Sequence, residues 1–221
     1  MIRVSGYSRD PVPPARMTPF TGCDAIDVRI GIVLFEDAEE LDFAGPWEVL
    51  GAWSTQWPED GIEVFTVADT LEPVRCAKGL RVVPDTTWET AGEIDVLVYP
   101  GGMGTRPQLG DETVRGRLRG IAANGTLMTS VCTGALVYAD SGLLDGRPAT
   151  TYWAELDLLA SLGRDIDVRG DDRFVDDGDV VTAAGVSAGI DMALHLVARL
   201  HSPERAKDVR RYIQYDPQPP V

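Results

Sequence analysis

The strongest constraint on the fold is a set of short runs that are apolar on both faces. Val28-Arg29-Ile30-Gly31-Ile32-Val33-Leu34-Phe35 is nearly unbroken and rich in β-branched side chains. Asp95-Val96-Leu97-Val98-Tyr99 has the same character, and Thr126-Leu127-Met128-Thr129-Ser130-Val131 reads as the next buried strand. A strand with one wet face alternates apolar and polar residues, whereas a strand covered on both faces does not. Ile62-Glu63-Val64-Phe65-Thr66-Val67 alternates and predicts a further strand. Asp179-Val180-Val181-Thr182-Ala183 predicts a late one, and short strand pieces are expected at 74–76 and 80–83.

Helical stripes separate these runs. Val114, Leu118, Ile121 and Ala122 give residues 111–124 one apolar face, and Gly125 follows as a stop. Residues 36–45 read as a loop, after which Pro46 opens a helix with Trp47, Leu50 and Trp53 on its apolar side. Residues 154–162, 187–200 and 204–215 predict three more helices. This alternation implies right-handed crossovers and a mostly parallel α/β sheet with helices on both faces. Ligands in such folds sit beyond the carboxyl ends of the strands. Three motifs fall at that edge: Leu41-Asp42-Phe43, Gly101-Gly102 and Cys132.

Charge narrows the partners. The 221 residues carry 35 acidic and 20 basic side chains, a net charge of −15. That excess argues against nucleic acid, which needs a basic footprint, and against anionic membranes. No apolar run approaches the roughly 20 residues of a membrane span. Cys23, Cys76 and Cys132 have no zinc-site spacing and form no disulfide framework, so a reducing cytoplasm is the expected setting. Residues 1–24, with Pro11, Pro13, Pro14 and Pro19, read as an extension ahead of a single domain over 25–221.

Cys132 carries the chemistry. It lies between a buried strand and a helix start, where a sharp turn pushes a side chain out of the sheet edge, as in a nucleophile elbow. Free N–H groups and the helix dipole there predict a thiol pKa below the roughly 8.5 of a free cysteine. A small apolar filler also suits the position. Small Gly134 and Ala135 leave room beside the sulfur and favour the nucleophile. His195 and His201 both fall on or after the late apolar helix, far along the chain from the edge motifs, and read as structural. The remaining proton carrier is Asp42. Apolar neighbours and a nearby sulfur would raise its pKa and allow a protonated acid, although a turn or capping role fits as well.

Gly101 and Gly102 let backbone approach a ligand and aim N–H groups at developing charge, or they simply end a strand. Thr151 is a candidate cap for the helix that follows, and Tyr152 either faces the pocket or packs. Gly185-Val186-Ser187-Ala188-Gly189 lacks a dinucleotide pattern. Cys23 and Cys76 carry no signal of their own.

These motifs form a set. Leu41-Asp42-Phe43-Ala44-Gly45-Pro46, Tyr99-Pro100-Gly101-Gly102, Ser130-Val131-Cys132-Thr133-Gly134-Ala135, Ala149-Thr150-Thr151-Tyr152-Trp153 and Ala188-Gly189-Ile190-Asp191 resemble the ThiJ/PfpI superfamily. That is the glutamine-amidotransferase-like, flavodoxin-type fold, and the likeness runs from about Val28 to Pro220. Within it the chain resembles the isocyanide (isonitrile) hydratases. They also have aspartate where many relatives have glutamate, and threonine after the cysteine, and their ending is similar to Tyr215-Asp216-Pro217-Gln218-Pro219-Pro220.

The resemblance implies a hydro-lyase without metal or organic cofactor, acting on a small molecule as a homodimer. Cys132 would be the nucleophile and Asp42 the acid/base, with Gly101, Gly102, Thr133, Tyr152 and Gly185 around the substrate. The backbone N–H groups of Gly102 and Thr133 would line the anion site. Two departures bear on the substrate: Tyr152 stands where hydratase-like members commonly have histidine, and Ala183-Ala184-Gly185 where a glycine run is common. Glyoxalase-like or amidase-like chemistry on another small electrophile, and a non-catalytic redox or ligand sensor, are the alternatives.

Overall fold

The computed structural model describes residues 28–217. The proposed extension 1–24, its Cys23 and the last residues of the 215–220 ending lie outside them. In chain order the strands are β1 (Val28–Val33), β2 (Ile62–Ala68), β3 (Val74–Arg75), β4 (Arg81–Val82), β5 (Thr86–Thr87), β6 (Val96–Tyr99), β7 (Leu127–Val131), β8 (Pro148–Ala149), β9 (Asp167–Val168), β10 (Phe174–Asp176) and β11 (Val180–Ala183). The helices are α1 (Glu40–Gln56), α2 (Glu112–Ala123), α3 (Gly134–Asp140), α4 (Leu156–Leu162), α5 (Ala188–Leu200) and α6 (Pro203–Tyr212).

Seven strands form one sheet in the order β10-β11-β7-β6-β1-β2-β5. Every neighbouring pair is parallel except β10 with β11. The two-sided burial expected for β1, β6 and β7 follows from two cores. Ile30, Ile32, Val96, Val98, Leu127 and Val131 pack with Val49, Leu50 and Trp53 of α1, Met192 and Leu196 of α5, and Val209 of α6. Val33, Leu97, Tyr99 and Met128 pack on the other side with Leu118 of α2, Leu136 of α3 and Leu159 of α4. Among the described residues no helix is long and apolar enough to cross a membrane.

The 36–45 loop expectation does not hold. The first helix starts at Glu40, so Asp42 lies in its first turn and Pro46 inside it. An interior proline removes a helical hydrogen bond and costs about 3 kcal/mol. Packing outweighs that cost: the Pro46 ring seats against Gly189 of α5, and Val49, Leu50 and Trp53 are fully buried. The sixth helix ends at Tyr212, shorter than its expected span.

At the amino end of β2, buried Asp60 accepts from Trp53 Nε1 at 2.6 Å and from Arg205 at 2.6 and 3.0 Å. His201 Nε2 lies 3.2 Å from the same carboxylate. This cluster fastens α6 to α1 at the end of the sheet opposite the candidate site.

Candidate active site

The carboxyl ends of β1, β6, β7 and β11 bring the edge motifs together. Beyond β7, Cys132 adopts φ +56°, left-handed for a residue with a Cβ. The strain is held from both sides. Its N–H bonds the carbonyls of Ala183 and Ala184 at 3.1 and 3.0 Å. Its own carbonyl accepts from Thr151 Oγ1 at 2.7 Å. Thr151 therefore secures the elbow and does not cap the segment after it, where the capping position belongs to Tyr152.

Asp42 is fully buried. Its Oδ2 accepts the Gly101 N–H at 2.9 Å, and Gly101 O accepts from Glu39 N–H at 2.9 Å. A Cβ at Gly101 would stand 2.5 Å from Thr133 N and 2.8 Å from Asp42 Oδ2, so only glycine lets this backbone pass between them. Asp42 Oδ1 is buried and makes no well-aligned hydrogen bond. Burial pushes the carboxyl up to about 7, helped by the Glu39 charge and opposed by the Gly101 N–H and the Cys132 thiol contact.

The low thiol pKa expected for Cys132 is overturned. Burial, followed by the negative charge of Asp42, pushes the thiol up to about 12. N–H groups of Thr133 and Val186 hydrogen-bond the sulfur and pull the other way without prevailing. Both groups are pushed towards their protonated forms, and the Asp42 carboxyl remains the more acidic of the two.

The other named residues sit around this pair. Thr133 Oγ1 accepts the Gly102 N–H at 2.9 Å. The Gly102 N–H is thus engaged inside the protein and does not point at an anion, a correction to its expected part. The Val186 N–H takes that place beside the Thr133 N–H. No sequence signal marks it, since a β-branched residue rarely adopts the φ of +49° seen here. The Tyr152 ring lies against Gly185, the residue before Val186.

His195 Nε2 bonds Asp176 at 2.7 Å and His201 contacts Asp60. Cys76 is buried beside Glu40 and Glu36, with its thiol pushed up to about 11 by burial and their charges. Among the described residues no group of three or more His, Cys, Asp or Glu side chains is arranged to hold a metal ion.

A parallel α/β sandwich with a strained cysteine at a strand-to-helix turn, facing a buried carboxylate, defines a class of cysteine-centred flavodoxin-like proteins. The chain belongs to the DJ-1/PfpI family, whose sequence pattern matches residues 28–199. It is 41% identical to an isonitrile hydratase of Pseudomonas putida over 193 residues, 87% of this chain and 81% of the relative. It is 27% identical to a glutathione-independent glyoxalase of Caenorhabditis elegans over 79% of this chain and 89% of the relative. The crystal structure of a ThiJ/PfpI family protein from Pseudomonas syringae superposes with a TM-score of 0.80 at 32% identity, covering 94% of this chain and 85% of that one.

Proposed function

We propose that the protein adds water to an isocyanide and releases an N-substituted formamide. The observation that carries this reading is the buried Asp42 carboxyl, anchored by the Gly101 N–H at 2.9 Å and in contact with the Cys132 thiol. The likeness to an isonitrile hydratase supports it. Asp42 takes the thiol proton as sulfur attacks the terminal isocyanide carbon, and then returns it to that carbon, giving a thioimidate. Ionised Asp42 next draws one proton from water as the water oxygen adds to the thioimidate carbon, and passes that proton to the imine nitrogen. Collapse breaks the C–S bond, the hydroxyl proton passes through Asp42 to the departing sulfur, and the formamide and the free thiol are released. The N–H groups of Thr133 and Val186 stabilise negative charge on sulfur in the first and last steps.

The test is formamide production from an alkyl isocyanide. Cys132→Ala abolishes it, and Asp42→Asn lowers it by roughly 10²–10⁴. Normal turnover by Cys132→Ala overturns the reading. Methylglyoxal assayed with the same preparation separates it from a glyoxalase-like activity. Both histidines are occupied away from Cys132, which weighs against chemistry needing a further proton shuttle. The homodimer and the cytoplasmic setting belong to this proposal. Light scattering of the purified chain and fractionation of the source cells check them.

A further inference from the structure

A chain of contacts outside the Asp42–Cys132 pair leaves the Cys132 sulfur and returns to it. Thr133, whose N–H bonds the sulfur, places its Oγ1 3.3 Å from Thr105 Oγ1. Arg106 Nη1 donates to Thr105 Oγ1 at 3.1 Å, and its Nη2 donates to Glu155. The Glu155 N–H closes a turn on the Tyr152 carbonyl at 2.8 Å. The Tyr152 ring then presses on Gly185 so closely that a Cβ there would stand 2.5 Å from the ring. The next residue, Val186, gives the second N–H to the sulfur.

Two features make this more than an incidental ion pair. Val186 holds a left-handed backbone (φ +49°) that is costly for a β-branched residue and persists only where its surroundings impose it. Arg106 serves the two arms with different nitrogens of one planar fork, which a lysine cannot reproduce. Both side chains are about one-quarter exposed (26% each), and partly solvated pairs of that kind contribute little to stability. Loss of the pair therefore separates stability from any effect on the sulfur.

We propose that Arg106 and Glu155 form a positioning clasp that sets the Thr133 and Val186 N–H groups around the Cys132 sulfur. The clasp controls how readily that sulfur takes up negative charge as it reacts. It rests on the reading of Cys132 as the reacting atom, but not on the identity of the substrate.

The experiment alkylates the full chain with iodoacetamide at fixed pH and follows Cys132 by mass spectrometry. The S–C bond forms as C–I breaks, iodide leaves and the thiol proton is lost to solvent. Arg106→Lys and Glu155→Gln are each expected to slow alkylation at least about threefold, with melting temperatures within about 4 °C of wild type. The double variant is expected to be no slower than the slower single one, because both substitutions open the same clasp. Glu155→Asp, a gentler break, checks a variant that melts early. Rates equal to or faster than wild type in both singles, or losses that simply multiply, overturn the proposal. If the wild type hydrates no isocyanide while alkylation still follows the clasp, the substrate reading falls and the clasp stands.

Discussion

Gly101 holds Asp42 from the side: its N–H bonds Oδ2 at 2.9 Å and leaves Oδ1 buried without a directed partner. One oxygen is fixed by the backbone, and the other is free to receive a proton. The division explains how a carboxylate can be both anchored and reactive.

Gly101→Ala tests that anchor. The new methyl group would meet Thr133 N at 2.5 Å and Asp42 Oδ2 at 2.8 Å. Overpacking of this kind costs roughly 1–3 kcal/mol. Turnover of the isocyanide is expected to fall by about tenfold or more, with a lower melting temperature. Steady-state kinetics and a thermal melt measure both.

Asp42 also governs stability. Its carboxyl is raised in the folded protein to about 7 from an ordinary value of 3.8. The folded state therefore favours the protonated form, and that stability is fully present below about 3.8. It is lost as pH rises through about 7. Asp42→Asn, which is never charged, is expected to gain more melting temperature over wild type at pH 8 than at pH 5.5. Equal gains at the two pH values would contradict the raised carboxyl.

The sulfur should respond in the opposite direction. The Asp42 charge is the second cause, after burial, of the high Cys132 thiol pKa. Alkylation of Cys132 in the wild type is expected to keep rising with pH beyond 9, where an ordinary thiol levels off. Removing the charge with Asp42→Asn should make alkylation at pH 8 faster even as turnover collapses. A pH series with mass detection reads both.

The Asp60 cluster offers a control remote from the chemistry. Asp60→Ala leaves Arg205 without its buried partner and Trp53 Nε1 without its acceptor. Breaking such a pair typically costs about 3–5 kcal/mol. A marked fall in melting temperature is expected, with turnover per folded molecule unchanged at low temperature.

Much of the architecture was legible because burial on both faces leaves a mark. Strand β6 is apolar throughout and β7 is buried at every position, and the turn after each is where the motifs fall. Strand β10 leaves no such mark because it is only three residues long, Phe174-Val175-Asp176, with Arg173 before it and a charged residue at its end. The true start of α1 was hidden by Pro46, whose local preference is overruled by contact with Gly189. At the site, Cys132 and Asp42 are visible as residue types beside an edge, and the raised Asp42 carboxyl follows from its apolar neighbours. The raised Cys132 thiol does not, because it depends on a sum of burial, neighbouring charge and N–H contacts that only the folded arrangement supplies. Val186 carries no mark at all, since its part is played by its backbone.

The left-handed backbones of Cys132 and Val186 have a consequence for directed evolution. A screen for heat resistance alone would reward relaxation of such strain, for instance glycine at 186, because relief there raises the melting point without touching the cores. Such winners would be sturdy and catalytically poor. Any campaign to harden this scaffold should therefore freeze both positions and look for its gains elsewhere.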